Sequence, residues 1–136
     1  MRTRAEYIAR AAHLGQVDNG GAPRIDHVLH VSSQVEGETA KIVALLHDTL
    51  EDSNVTTYEC LLKTFGAEVA DAVLAVSRIP GEKYFDYIAR CAQNSIARVV
   101  KIADIKHNMD KSRWPEMPDS YMEREIKALK ILENND

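Results

Sequence analysis

Apolar residues recur at intervals of three and four along almost the whole chain, and no stretch alternates apolar and polar positions as a half-buried strand does. The spacing predicts a first helix over residues 3 to 14, with Ala5, Tyr7, Ile8 and Ala12 turned inward. Gly, Asn, Asp and Pro then gather in "GQVDNGGAP", a loop by its turn chemistry. A second helix is predicted from Arg24 to Val35 and a third from Glu38 to Leu50, with "EGE" between them. Thr56 and Glu59 stand at capping-box spacing, opening a helix that Gly66 closes, and Ala67 to Val76 forms the next. After "RIPGEK" come Tyr84 to Ala92 and a long helix, capped by Asn94 or Ser95, that reaches about Asp110. "RWPEMPD" interrupts again, and Ser120 with Glu123 opens the last helix. The pattern predicts an all-α protein, a compact array of about six to eight helices. We expect one domain over 1–136, with no internal repeat or linker.

Composition narrows the partners. A chain of 136 residues can remove roughly two-thirds of its unfolded surface from water. Its 45% hydrophobic and 28% charged residues are ordinary for a globular protein. A net charge of −4 argues against a general nucleic-acid or anionic-membrane binder, which needs a positive surface. A small phosphate-bearing ligand needs only a local basic pocket. Cys60 and Cys91 have no metal-pair spacing and are expected as small buried hydrophobes. The N-terminus lacks the apolar core of a signal peptide, and no stretch is long enough to span a bilayer, so a cytoplasmic protein is expected.

The third helix ends in "ALLHDTLEDS", which crowds His47, Asp48, Glu51 and Asp52 against an apolar run. Buried ionisable groups cost free energy unless something offsets them. With His27 on the second helix and Asp104 in "KIADIKHNMD", the polar positions fall on three amphipathic stretches. On a continuous helix Glu51 follows His47 by four residues and Asp52 follows Asp48 by four, so each pair shares a face. Two imidazoles and two carboxylates suit one divalent transition ion such as Mn, Fe or Zn, whose charge would offset the clustered carboxylates. Such an ion acidifies water, and a neighbouring carboxylate pair can take its proton, which together make a hydrolase's equipment. The plainer alternative is an acidic helix end, although negative charge there opposes the macrodipole.

The ordered set of "PRIDH" at 23 to 27, "HDTLED" at 47 to 52 and "VKIADIKHNM" at 100 to 109 resembles the HD-domain phosphohydrolases. Specifically it resembles the hydrolase branch of the Rel/Spo (p)ppGpp alarmone family and its small stand-alone relatives, over about Gly21 to Trp114. The resemblance implies an HD-domain helical fold and one divalent metal, usually Mn2+. His27, His47, Asp48 and Asp104 match the ligands. Glu51 and Asp52 match the acidic pair that activates water, and Asn108 matches a residue lining the nucleotide pocket. The implied reaction is hydrolysis of a phosphate or pyrophosphate ester of a nucleotide, such as the 3′-pyrophosphate of (p)ppGpp. Residues 48 to 103 hold no histidine, which favours a one-metal hydrolase over two-metal phosphodiesterases and di-iron oxygenases.

At Gln16 and Val17 the family's basic Arg-Lys pair is absent. Arg24 stands where the family often has Tyr, and its planar fork suits phosphate oxygens. Lys101 and Lys111 flank the Asp104–Asn108 face and are further candidates for phosphate contacts, in a wider set that includes Arg113. His30 is expected in packing or behind the ligands, His107 near the pocket, and His13 without a role. Tyr84 and Tyr87 suit either a nucleotide-sized pocket or the core, and Trp114 a staple for its loop. The alternative function from the same residues is a metal- and nucleotide-binding sensor module without turnover, against which the intact Glu51–Asp52 pair argues.

Overall fold

The computed structural model describes residues 1–52 and 54–134, and of Asp52 the backbone alone. Among the described residues nine helices form. They are α1 (Arg2–Ala12), α2 (Arg24–Ser33), α3 (Glu38–Leu46), α4 (Thr49–Asp52), α5 (Tyr58–Phe65), α6 (Ala67–Val76), α7 (Tyr84–Ala92), α8 (Ser95–Asn108) and α9 (Asp119–Glu133). Extended pairing among those residues is limited to one antiparallel bridge, Val17 with Pro23. The periodicity therefore gave the right class, an all-α helical array.

α3 is the axis of the molecule. It packs against α1, α2, α6 and α8, and every residue from Ile42 to Leu46 is buried. A helix apolar on all sides is stable only when enclosed on all sides. Ile42, Val43, Leu45 and Leu46 together contribute on the order of 6–12 kcal/mol, at about 1.5–3 per fully buried side chain. That exceeds the several kcal/mol that one poorly compensated buried ion costs, so this core can carry a polar centre at its end.

α8 is the second organiser, packed against α2, α3, α6, α7 and α9. Asn94 caps it as expected, its Oδ1 accepting from the Ile96 and Ala97 amides at 3.1 and 2.9 Å. Ala97, Val100 and Ile105 anchor its inner face, and Asp104 lies buried among them.

Several boundaries differ from the sequence expectation. α3 stops at Leu46 rather than Leu50, because side chains capture its last carbonyls. The His47 Nδ1–H donates to the Ala44 carbonyl at 2.5 Å, and the buried Thr49 hydroxyl donates to the Leu46 carbonyl at 2.7 Å. Those carbonyls would otherwise accept from the amides of residues 48 and 50, so the helix breaks and restarts as α4. The cap of α5 is Thr57, whose hydroxyl accepts from the Cys60 amide at 3.2 Å, not Thr56. Gly66 (φ 93°) closes α5 as expected and also starts α6. α9 begins at Asp119 behind Pro118 without a side-chain cap, so the Ser120–Glu123 box does not form. In α1 the buried face is Ala5, Ala9 and Ala12, and Tyr7 is 76% exposed.

Candidate metal centre

Three elements bring the donors together. α2 presents His27 beside the buried Val28 and Val31, the end of α3 presents His47, and α8 presents Asp104. All three are at least 95% buried. His27 Nε2 lies 2.7 Å from Asp104 Oδ1, and His47 Nε2 lies 3.3 Å from the same oxygen. One donor atom from each falls within 4.8 Å of the others. Asp48 Oδ2 is 3.4 Å from His47 Nε2 but stands outside that mutual set, turned to Arg24 Nη1 at 3.5 Å. Asn108 Nδ2 donates to Asp104 Oδ1 at 3.3 Å, and Lys101 Nζ pairs with Asp104 Oδ2 at 2.9 Å.

The electrostatics of the centre favour positive charge. Burial works against an imidazolium at His47, yet Asp48 beside it, Asp104 and the Ala44 carbonyl push its pKa up to about 9. Burial likewise opposes ionisation of Asp104, but Lys101 and the bonds from His27 and His47 hold its carboxyl well below the usual range. Lys101 is buried too, and Asp104 holds its ammonium well above its ordinary value.

A cavity of about 240 Å³ opens beside the donors, lined by Arg24, His27, Asp48, Glu51, Lys101, Asp104 and Asn108. Its far wall is the segment 18–20 with Arg113, Trp114 and Tyr121. Asp18 shapes that wall: its Oδ1 accepts from the Gly20 and Ala22 amides, both at 3.0 Å. Its Oδ2 pairs with Arg113, whose other nitrogen donates to the His107 carbonyl at 2.9 Å. Gly20 is required there, since a Cβ would lie 1.7 Å from the Arg113 carbonyl oxygen.

Of the other candidates, Glu51 is exposed at the cavity edge and accepts from the Arg78 amide. The Asp52 side chain lies outside the described residues. Because α3 breaks at His47, Glu51 does not continue the face that His47 presents. Lys111 is exposed and does not line the cavity; Arg113, two residues on, takes the inward place. Gln16 turns to His13 and the Ala12 carbonyl, while Val17 bridges Pro23 and is 59% exposed. Tyr87 is core, its hydroxyl donating to the Val76 carbonyl, with Lys101 Nζ 5.1 Å above its ring centroid. Tyr84 donates to Glu125 at 2.8 Å, away from the cavity. Trp114 packs edge-on against Tyr121 at 5.0 Å. His30 stacks on His107 at 3.9 Å, and His13, buried, bonds Gln16 at 2.9 Å. Cys91 is buried as expected, whereas Cys60 is exposed on the outer face of α5. Sequence reasoning missed Asp18 and Tyr121; the Asp-x-Gly turn of "VDNGG" was the available signal for the first.

The donor set fits a divalent transition ion by its own chemistry. His47 spends its Nδ1–H on the Ala44 carbonyl, which leaves Nε2 as the ring atom facing the centre, where an ion can replace its proton. Two imidazole nitrogens with a carboxylate are the donors such ions take. Fold and centre together define an all-α HD-domain protein.

No family model matches the chain. It is 34% identical over 143 residues, 96% of its length, to a probable GTP pyrophosphokinase of Mycobacterium leprae. It is 34% identical over 125 residues to the bifunctional (p)ppGpp synthase/hydrolase SpoT of Escherichia coli K12, and 34% identical over 117 residues to the guanosine-3′,5′-bis(diphosphate) 3′-pyrophosphohydrolase of Haemophilus influenzae. These alignments span only 17–18% of the relatives. Among solved structures, a metazoan ortholog of SpoT that hydrolyses ppGpp shares the fold, with a TM-score of 0.79 at 22% identity, covering 99% of this chain and 86% of that one. The chain belongs to the HD-domain Rel/Spo family.

Proposed function

We propose that this chain is a metal-dependent phosphohydrolase of a nucleotide phosphate or pyrophosphate ester, with a guanosine 3′-pyrophosphate as its leading substrate. The observation that carries this reading is the convergence of His27, His47 and Asp104 within 4.8 Å beside a cavity that also holds Arg24, Lys101 and Arg113. His27, His47 and Asp104 would hold one divalent ion, of which Mn2+ is the expected one, and Asp48 would complete the set by leaving Arg24. When bound, that ion supplies Lewis acidity toward a phosphoryl oxygen and lowers the pKa of water.

The chain's own residues do the rest. Arg24 offers a planar donor fork to phosphate oxygens and Asn108 an amide, while Arg113, held by Asp18 and the His107 carbonyl, adds positive charge to the wall. Lys101, fixed on Asp104, adds a positive field without leaving its partner. Glu51 takes the proton of the attacking water at the cavity edge, one of its oxygens steadied by the Arg78 amide. By its family position Asp52 shares that task. The cavity wall from Asp18 to Gly20 limits water on the side facing Arg113.

Relatives are named both for making and for hydrolysing (p)ppGpp. A divalent-ion donor set next to an acidic residue favours hydrolysis. The test is phosphate and pyrophosphate release, with Mn2+, across (p)ppGpp, nucleoside mono-, di- and triphosphates and NADPH. Release from one of these that chelator abolishes is expected. Release that persists in chelator, or none from any substrate despite bound Mn2+, would overturn the reading.

A further inference from the structure

The two imidazoles of the centre are oriented by different means. His47 is held by a backbone carbonyl, that of Ala44 at 2.5 Å. His27 is held by another side chain: its Nδ1 lies 2.6 Å from Nδ1 of His107. Two lone pairs cannot face each other at that distance, nor can two N–H groups, so one nitrogen donates and the other accepts. The His107 ring is itself confined. It lies edge to edge with His27 in nearly the same plane, centroids 4.9 Å apart at an interplanar angle of 9°, and His30 stacks against its face at 3.9 Å and 17°.

We propose that His107 is the positioning residue for His27, accepting the His27 Nδ1–H so that the Nε2 lone pair is committed to the metal centre. Nε2 lies 2.7 Å from Asp104 Oδ1, a contact that also needs a proton between the two atoms, so an ion would take that proton's place while the proton on Nδ1 stays with His107. In the reversed arrangement His107 would donate to a bare Nδ1, which would leave His27 with its single proton on Nε2 against Asp104 Oδ1 and oppose ligation. His30 contributes by packing, keeping the His107 ring coplanar with His27. The centre thus has one anchor that mutation cannot remove, the Ala44 carbonyl, and one that it can.

The inference rests on the proposed metal centre, and the test separates the two. The full chain, stripped with chelator, is titrated with Mn2+ while the resonance of free Mn2+ is followed by electron paramagnetic resonance. His107→Phe keeps an aromatic ring for His30 to stack on but has no acceptor, whereas His107→Asn puts an amide oxygen near the former Nδ1. Loss of an outer partner of a ligating histidine costs about 10–100-fold in metal affinity, so His107→Phe should bind Mn2+ about that much more weakly and His107→Asn within about threefold of wild type. Wild-type affinity in His107→Phe, or equal loss in both variants, would overturn the positioning role while leaving the centre intact. Absence of Mn2+ binding by the wild type would overturn the centre and this inference with it. Should His107→Phe fail to fold, nitrogen-15 NMR of the Zn2+-loaded wild type reads the same point. A proton on His27 Nδ1 is expected, and a bare Nδ1 would refute the role.

Discussion

The buried centre and the open rim of the same cavity are built on opposite plans. At the centre, His27, His47 and Asp104 come from three helices, are nearly inaccessible, and each has two or more polar partners. At the rim, Glu51 sits on the four-residue α4, exposed, with the amide of Arg78 holding one oxygen. Donors for an ion need fixed geometry, and enclosure in the core supplies it. A group that takes and returns a proton needs access to water, which the core would deny. The break of α3 at His47 is what separates the two, since a continuous helix would carry Glu51 along the same line.

Breaking the centre should cost far more than breaking the rim. Asp104→Ala leaves Lys101 as an uncompensated buried ammonium and should destabilise the chain by about 3–5 kcal/mol in urea denaturation. Glu51→Ala, on the surface, should stay within about 0.5 kcal/mol. Similar losses in both variants would erase the contrast.

Activity should divide the same two regions differently. Glu51→Gln should lower kcat by about 10²–10⁴-fold, the usual worth of a positioned proton acceptor, and leave Mn2+ affinity nearly unchanged. A variant that loses metal instead would move Glu51 from the rim to the centre. On the far wall of the cavity stands Arg113, bonded to Asp18 and to the His107 carbonyl. Arg113→Ala should cost about 1.5–3 kcal/mol, the range for hydrogen bonds to charged groups, and raise KM more than it lowers kcat. Arg113→Lys should not restore it, because an ammonium cannot span both partners as the fork does. Unchanged KM in Arg113→Ala would remove the wall from substrate binding.

pH offers a milder perturbation. His47 in the folded chain has its pKa raised from the ordinary 6.5 to about 9. Its protonated form therefore stabilises the chelator-treated protein fully below about pH 6.5, and that contribution is lost as pH rises through about 9. The melting temperature of stripped protein should fall across that window, and saturating Mn2+, which replaces the proton, should flatten the fall. A stripped protein whose melting temperature does not change between those limits would contradict the charge balance proposed for the centre. The smallest effect concerns the thiols. Exposed Cys60 should alkylate in the native state, whereas Cys91, buried and with its pKa pushed up to about 11 by that burial, should react only on unfolding. Native labelling of Cys91 would show that the core beneath α8 opens.

Much of this was legible in the chain. The helical period marked nearly every helix, and Asn94 opened α8 and Gly66 closed α5 as their chemistry dictates. His27, His47 and Asp104 each stood on an apolar face, a weak signal singly, and it was their combination and order, and the family resemblance these carry, that joined them. The break after Leu46 was not, because it depends on where the Thr49 hydroxyl and the His47 ring turn once buried. Helix periodicity could not distinguish Thr56 from Thr57 as a cap, nor foresee Cys60 and Tyr7 on outer faces. Arg113 displacing Lys111 from the cavity is a long-range outcome, fixed by Asp18, 95 residues away in sequence. The same holds for His107, whose partner His27 comes from another helix.

The most direct measurement is anomalous diffraction from crystals of the chain soaked in Mn2+, recorded at the manganese edge. A single peak within coordination distance of His27 Nε2, His47 Nε2 and Asp104 Oδ1, with Asp48 turned toward it from Arg24, is the predicted result. No peak there, or an ion held elsewhere with these three side chains bonded only to one another, would contradict the account.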